Sequence, residues 1–573
     1  MFLWYPLLYL CAMFDSVRIT FFKVLIFFLG ISFFFSCNEN ANRNEVIHPS
    51  EIDTSGTFRL HLTDFFTDSA AIDSFISRHP EIQSDSGLLF DFYKRRNFRF
   101  AWINKDGVIE HSAHLINLIS GSTTIMDTSI APRLQTLFDS IKVIPLAELH
   151  KSGIAEEMEL NFTSAFFAFA RKEYVGVEDT VFRSLDWFIP RKKLNFDGLL
   201  DSILNKSPQE MVNTEPVYYM YSRLKNNLNL YTELACNETW DSLSQPKKDL
   251  KRGQRDSIIP IVKCRLHLLG DLVTIDTTDF YSDSLSIAIR RFQSRHGLKA
   301  TGIPDKEFLE ALNVKPEERL RQLLVNMERC RWLSLRPKGE NIVINLPEYK
   351  MYVNSDEEIL WECNVIVGRA SNNTVIFTDS LQYIVFNPYW NVPDKIIFEE
   401  IAPEMINDPS YLKNHHMELV SYSNPSRVVD PKSIDWKNPG QNRFPYLLRQ
   451  KPGPWNALGS IKFLFPNNFS IYLHDTPEKK LFDKQERSFS HGCIRIQEPL
   501  KLAEFLLKDD SLWNKKNIQK TLKEGKEKFV KLIRKVPVSI LYFTAWVDDA
   551  GVLNFRKDVY GHDMKMEKVV FEF

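Results

Sequence analysis

The strongest constraint on how this chain can fold is a change of hydrophobic period near residue 340. Before it, apolar residues recur at helical spacing: Met158, Phe162, Ala165, Phe166 and Phe169 fall on one predicted helix face, and Leu320, Leu323, Leu324 and Met327 on another. Residues 87–93 predict a further helix, running into an extended segment with Phe98, Phe100 and Trp102. After it come short β-branched and aromatic runs at 341–345, 350–353, 360–368 and 383–387, separated by turn residues. Helical stripes and pleated faces need different packing partners, so a multidomain α+β protein is expected. At 573 residues the chain exceeds a single core, and about three or four domains are anticipated.

Charge excludes some partners. Seventy-two basic and 73 acidic side chains leave a net charge of -1, so no global field points to nucleic acid. Among the seven cysteines there is no C-x-x-C and no Cys/His group of zinc type, and neither a metal nor a cofactor is expected. Cys236, Cys264, Cys330 and Cys363 read as buried small hydrophobes, with a disulfide among them as the alternative if the chain is exported. His61, His79, His111, His114 and His150 form no ligand cluster.

Arg18 and Lys23 precede an apolar run at 24–35, and a polar, aperiodic segment follows Ser36-Cys37. Residues 1–37 therefore read as a signal peptide, a lipoprotein signal or a membrane anchor, with Met13 as an alternative start. Cys37 after Ser36 resembles a bacterial lipobox and is the candidate lipidation site, although Phe34 and Phe35 are bulkier than usual there. Residues 38–57 read as a tether. The expected location is the periplasm, tethered to a cell-envelope membrane.

Residues 58–249 are expected to form a mostly helical scaffold. In 250–313 three short helices are predicted. One carries Ile261, Cys264, Leu268 and Leu269 and ends at Gly270; one carries Leu285, Ala288, Ile289 and Phe292 and ends at Gly297; one carries Phe308, Leu309 and Leu312. Arg290, Arg291, Arg295 and Lys299 read as a solvated face. The run from Ala288 to Leu298, with Thr301-Gly302 and Leu309-Glu310-Ala311-Leu312-Asn313, resembles the peptidoglycan-binding module of cell-wall enzymes, and glycan binding is what that resemblance implies.

The chemistry concentrates in 317–546. Residues 459–465 and 470–474 predict a hairpin across 466–469, which places His474 at a strand end. After fifteen intervening residues comes Ser490-His491-Gly492-Cys493-Ile494-Arg495. Cys493 is the candidate nucleophile, because a thiolate attacks acyl carbons and a neighbouring imidazole can take its proton and return it to a leaving amine. Gly492 clears space beside the sulfur, and the Gly492 and Cys493 amides are candidates for an oxyanion hole. Arg495 would hold a substrate carboxylate or order the loop. Residues 393–452 are too long for an ordinary loop. Beyond them, 502–507 predicts a helix, 515–535 a solvated basic helix face, 538–546 a last strand, and 547–573 a tail or domain edge.

Taken together, His474 and the Ser490–Arg495 motif resemble the signature of the L,D-transpeptidase catalytic domain of YkuD type. Phe386-Asn387-Pro388-Tyr389-Trp390-Asn391-Val392-Pro393, the segment from Pro452 to Gly459 with Trp455, and Tyr472-Leu473-His474-Asp475-Thr476-Pro477 resemble the large periplasmic YcbB-type enzymes. The resemblance implies a helical scaffold and a three-helix peptidoglycan-binding module, followed by a β-rich catalytic domain with 393–452 as a capping insertion. It also implies Cys493 as nucleophile, His474 as general base and proton donor, and supporting roles for His491, Ser490, Gly492 and Arg495. Trp390, Asn391, Trp455 and Tyr472 stand as groove or core residues. Many family members have glycine after the first histidine, where Asp475 stands here. The implied reaction forms 3-3 cross-links between peptidoglycan stem peptides, donor and acceptor, with carbapenem-type inhibitors of the same thiol. Water (an L,D-carboxypeptidase) or a protein amine are alternative acceptors, and a non-catalytic wall-binding scaffold is the rival reading.

Overall fold

The computed structural model describes residues 63–571 except residue 64 and the stretches 123–128, 150–151, 178–185, 207–214, 246–249, 335–337, 357 and 441–442. The expected leader with Cys37, and the tether, lie outside the described residues. Two compact units result. The first draws on described residues of Met1–Asp179, Pro190–Thr239 and Lys315–Leu335, and the second on those of Thr180–Ile189, Trp240–Val314 and Arg336–Phe573.

The first unit is helical, with one short hairpin, β1 (Ile103–Asn104) and β2 (Gly107–Val108). Its helix Gly153–Ala170 was expected to bury one apolar face. Instead the polar side is buried too, including Glu159, Asn161 and Thr163. Glu159 accepts hydrogen bonds from the Trp102 amide (3.0 Å) and the Tyr93 hydroxyl (2.9 Å). Burial pushes its carboxyl up to about 7 against the pull of these donors. The helix Pro316–Trp332, which the sequence seemed to attach to the strands after it, belongs to this unit: the Tyr218 amide donates to the Cys330 carbonyl, and Arg331 Nε to the Glu173 carbonyl.

In the second unit the three expected helices appear as Ile259–Leu268, Asp283–Arg295 and Lys306–Leu312, packed around Leu266, Ile289, Phe292 and Phe308. Ser282 and Asp305 cap two of them, each accepting from a backbone amide three residues on. One expectation fails here. Arg295 is not on a solvated face but buried, with Nε and Nη2 donating to the two carboxylate oxygens of Asp271 at 2.8 and 2.7 Å. A helix pattern cannot announce a partner 24 residues upstream. Arg290, Arg291 and Lys299 are exposed. Cys330 and Cys363 are buried, but Cys264 is exposed, and Cys236 is half-buried with its sulfur in a disulfide, not packed as a free hydrophobe.

The remaining strands are β3 (Glu340–Asn345), β4 (Lys350–Ser355), β5 (Glu358–Gly368), β6 (Phe377–Phe386), β7 (Trp390–Asn391), β8 (Met417–Val420), β9 (Val428–Val429), β10 (Leu447–Gln450), β11 (Ile461–Leu464), β12 (Leu473–His474), β13 (Ser488–Ser490), β14 (Ile494–Ile496), β15 (Lys528–Leu541), β16 (Ala545–Val547) and β17 (Leu553–Phe555). The main sheet runs β13-β5-β14-β12-β11-β6-β15-β3-β4, and β4 pairs back onto β5. All strands but β13 thus close into a ring, which removes the free edges of an open sheet.

Three predicted elements change. The 515–535 stretch is not one helix: Lys515–Glu524 is helical, capped by Asn514 and ended by left-handed Gly525, and the chain then enters β15. Residues 538–546 divide between β15 and β16, which lie in different sheets. Residues 547–573 contain β17 and the helix His562–Phe571.

The 393–452 insertion is a folded subdomain. Its sheet, β7-β10-β8-β9, and the helical segment from Asp394 to Asn407 enclose Ile397, Ile401, Leu419, Trp436, Phe444 and Leu448.

Candidate active site

β11 and β12 are antiparallel, with Lys462 opposite His474 and Phe463 opposite Leu473. The hairpin is looser than predicted, since β12 holds only Leu473 and His474. Asn467 organises the connection, donating from Nδ2 to the Phe465 and Ile471 carbonyls and accepting from the Phe469 and Ile471 amides. A cavity of about 440 Å³ beside it is lined by Phe188, Phe377, Asp379 and Phe469.

β12 pairs in parallel with β14, Leu473 opposite Ile494 and His474 opposite Arg495. Leu473 and Ile494 are fully buried on one face. Strand alternation therefore sends Tyr472, His474, Cys493 and Arg495 to the other face, with His474 and Cys493 as diagonal neighbours. Lys462, paired with His474, joins them.

Cys493 is half-buried. Its thiol lies 3.6 Å from the Ser470 carbonyl, and Tyr472 falls beside it, one residue before the Leu473–Ile494 pair. Burial raises the thiol's pKa, while Tyr472, Lys462 and Arg495 pull it back. Among the described residues the thiol's hydrogen bond goes to Ser470, not to His474. Catalytic hydrogen bonds are commonly long until substrate arrives.

His474 is buried, and its Nδ1–H donates to the Asp475 carbonyl at 2.5 Å. A carbonyl only accepts, so the proton sits on Nδ1 and Nε2 keeps its lone pair. Burial first, then the Arg495 charge, hold the imidazole down to about 3, so it is neutral at physiological pH. The Asp475 carboxylate is engaged elsewhere, accepting from the Ser460 amide and hydroxyl, the Thr476 amide and Lys479.

The motif is braced from below. Ser490 is buried; its hydroxyl donates to the Cys493 carbonyl at 2.5 Å and accepts the Gly492 N–H at 3.2 Å. One of the two amides expected for an oxyanion hole is thus already bonded, while the Cys493 amide has no protein partner among the described residues. Gly492 has φ +114°, a conformation L side chains rarely adopt. Its carbonyl accepts from the Thr374 hydroxyl, Thr374 in turn accepts from the Gly368 amide, and the Gly368 carbonyl accepts from the Tyr560 hydroxyl. His491 is exposed, with Nε2 against Glu400 at 2.7 Å and beside Arg369 Nη2. Arg495 is committed to Glu478, which favours the loop-ordering alternative.

The remaining predicted residues divide. Tyr472 is in the site. Trp390 and Asn391 form β7 within the insertion's sheet, opposite Gln450 and Arg449. Trp455 is 43% exposed and stacks on His416 at 3.7 Å, so it is not core. Its neighbour Asn456 is fully buried and donates to the Pro388, Gln450 and Lys451 carbonyls, pinning both ends of the insertion together. Sequence reasoning missed Lys462, Ser470, Thr374 and Tyr560. Only Lys462 left a signal, a lone charge inside the apolar run 461–465.

Three stretches of the chain match known protein families. Residues 339–523 match the YkuD family, described as the L,D-transpeptidase catalytic domain; 87–228 match the "Scaffold domain" family, and 255–312 the "Putative peptidoglycan binding domain" family. A Haemophilus influenzae protein named "Putative L,D-transpeptidase" is 36% identical over 245 residues, 43% of this chain and 48% of that protein. The chain thus spans about half the length of this curated relative. A crystal structure of an L,D-transpeptidase (Yku) from Stackebrandtia nassauensis aligns over 52% of this chain and 97% of that one, at 13% identity and a TM-score of 0.20. One from Xylanimonas cellulosilytica aligns over 52% and 100%, at 11% identity and a TM-score of 0.16. Superpositions that poor carry no weight, and the assignment rests on the family matches. Over residues 339–523 the chain is thus similar to the L,D-transpeptidase catalytic domain of YkuD type, behind stretches similar to a scaffold domain and a peptidoglycan-binding domain.

Proposed function

We propose that the chain is a periplasmic, membrane-tethered L,D-transpeptidase that forms 3-3 peptidoglycan cross-links through a thioester on Cys493. The observation that supports this most is the pairing of a half-buried thiol with a neutral imidazole whose Nδ1–H is fixed by the Asp475 carbonyl. That tautomer offers Nε2 as the base.

In this reading Cys493 attacks the carbonyl carbon of the amide joining the L- and D-centres of a tetrapeptide stem. The thiol proton passes to His474 Nε2. Collapse of the tetrahedral intermediate breaks the C–N bond, and His474 returns the proton to the departing D-amino acid. The amine of a second stem then attacks the thioester, losing its proton through His474 and regenerating the thiol. The Cys493 amide supports the oxyanion. Residues 255–312 hold the enzyme on the glycan-peptide mesh. The same thiol is expected to take a covalent adduct from a carbapenem.

The test is muropeptide mass spectrometry in a strain lacking other such enzymes. Cys493→Ala is expected to abolish 3-3 dimers; unchanged dimers would sink the proposal. Water or a protein amine as acceptor would appear instead as tripeptides or as protein-linked stems when purified enzyme is given tetrapeptide muropeptides.

A further inference from the structure

Four groups besides the thiol populate the site face, and their charges are unequally committed. Arg495 is paired with Glu478. His474 is neutral and Tyr472 is a phenol. Lys462 is different: half-buried in β11, opposite His474, it has no carboxylate within ion-pairing distance among the described residues. Glu527, which accepts from the Tyr389 amide, is the acidic group whose charge reaches it most. The Lys462 ammonium instead lies 3.8 Å from the centroid of the Tyr472 ring, and Tyr472 falls opposite Cys493 one residue before the Leu473–Ile494 pair, its carbonyl accepting the Ile494 N–H at 3.1 Å.

A desolvated cation over an aromatic face is attracted to it and fixes the ring's position. The same cation stabilises an anion beside that ring and opposes a second positive charge on His474. Burial lowers the Lys462 pKa and charge on Cys493 raises it, which is the mutual dependence expected of a pair.

We propose that Lys462 is a positioning residue for the nucleophile: it holds Tyr472 against Cys493 and supplies the cation that stabilises the thiolate, a part the neutral His474 does not play at rest. The proposal rests on Cys493 being the nucleophile. It does not require that the acceptor be a stem peptide.

The experiment is the pH profile of Cys493 alkylation by iodoacetamide in the full chain, which needs no peptidoglycan substrate. In Lys462→Met the midpoint is expected to rise by about one pH unit, a tenfold loss of rate below the midpoint, while Lys462→Arg stays within about threefold of the unaltered protein. An unchanged Lys462→Met profile overturns the proposal. So does Lys462→Arg shifting as far as Lys462→Met, because the lysine would then matter only as packing. Should Lys462→Met fail to fold, Lys462→Gln is read by the same criterion. A shifted profile in a protein that forms no 3-3 dimers would overturn the proposed reaction and leave this inference standing; normal dimers with an unshifted profile would do the reverse.

Discussion

His491 Nε2 and Glu400 Oε1 lie 2.7 Å apart, joining the loop that carries Cys493 to the π-helical turn Ile397–Ile401 of the insertion. Both side chains are partly exposed, so the bond stabilises the whole protein little, below about 1 kcal/mol. Its effect is local. Glu400→Ala is expected to leave the melting temperature nearly unchanged while amide exchange in residues 397–407 speeds up about fivefold, the equivalent of about 1 kcal/mol. Hydrogen-exchange mass spectrometry checks this; exchange rising equally throughout the protein would contradict a local latch.

His474 makes stability depend on pH with a definite sign. Its folded pKa, about 3, lies below the usual 6.5, so the unfolded chain binds a proton that the folded one refuses as pH falls through that interval. The stability it contributes is fully present above about pH 6.5 and is lost toward pH 3, at roughly 1.4 kcal/mol per pH unit. Unfolding free energies from urea titrations of the unaltered protein and His474→Gln at pH 7 and pH 5 should therefore converge by about 2 kcal/mol on acidification. Parallel curves would mean that the imidazole protonates without strain.

Ser490 serves two backbone groups with one hydroxyl. Ser490→Ala leaves the buried Gly492 amide without its acceptor and the Cys493 carbonyl without its donor, at a cost of about 1–3 kcal/mol. Thermal unfolding should register that loss, and Ser490→Thr should recover part of it.

Gly492 separates strain from crowding. A Cβ there would meet only the Asn373 and Asn372 carbonyl oxygens, at 3.7 and 3.9 Å, so there is room. Gly492→Ala is still expected to lose about 1–3 kcal/mol through its backbone conformation. Gly492→Ser should lose nearly the same amount; a serine much worse than alanine would point to crowding.

Asp271 and Arg295 form a buried pair, and removing one partner strands the other. Asp271→Asn should cost about 3–5 kcal/mol and expose the three-helix module to protease. Limited proteolysis followed by peptide mapping locates the cut, expected within 270–283.

Much of this was legible beforehand, for identifiable reasons. The three helices of the module declared themselves through local spacing and glycine stops, and the motif around Cys493 through residue type. What stayed hidden depends on contacts distant in sequence. Nothing near Lys462 says that it lies opposite His474, because register is settled by pairing. The run at 528–535 reads as a basic helix face, yet it forms a strand with Phe529 and Ile533 exposed, because its partner β6 lies about 140 residues earlier and supplies the pairing. Trp390 and Trp455 drew notice as aromatics, whereas Asn456, with its three carbonyl partners, is what pins the insertion.

The closure of the ring also has a temporal side. β15 fills the gap between β6 and β3, and Tyr560 secures the Gly368 carbonyl beneath the loop that carries Cys493. A ribosome delivers Cys493 before it delivers either of them. A nascent chain halted before residue 528 therefore displays the thiol while β6 and β3 still lack the strand that joins them. The ring therefore closes late in synthesis, only after the whole stretch from β3 to the Cys493 loop has been made.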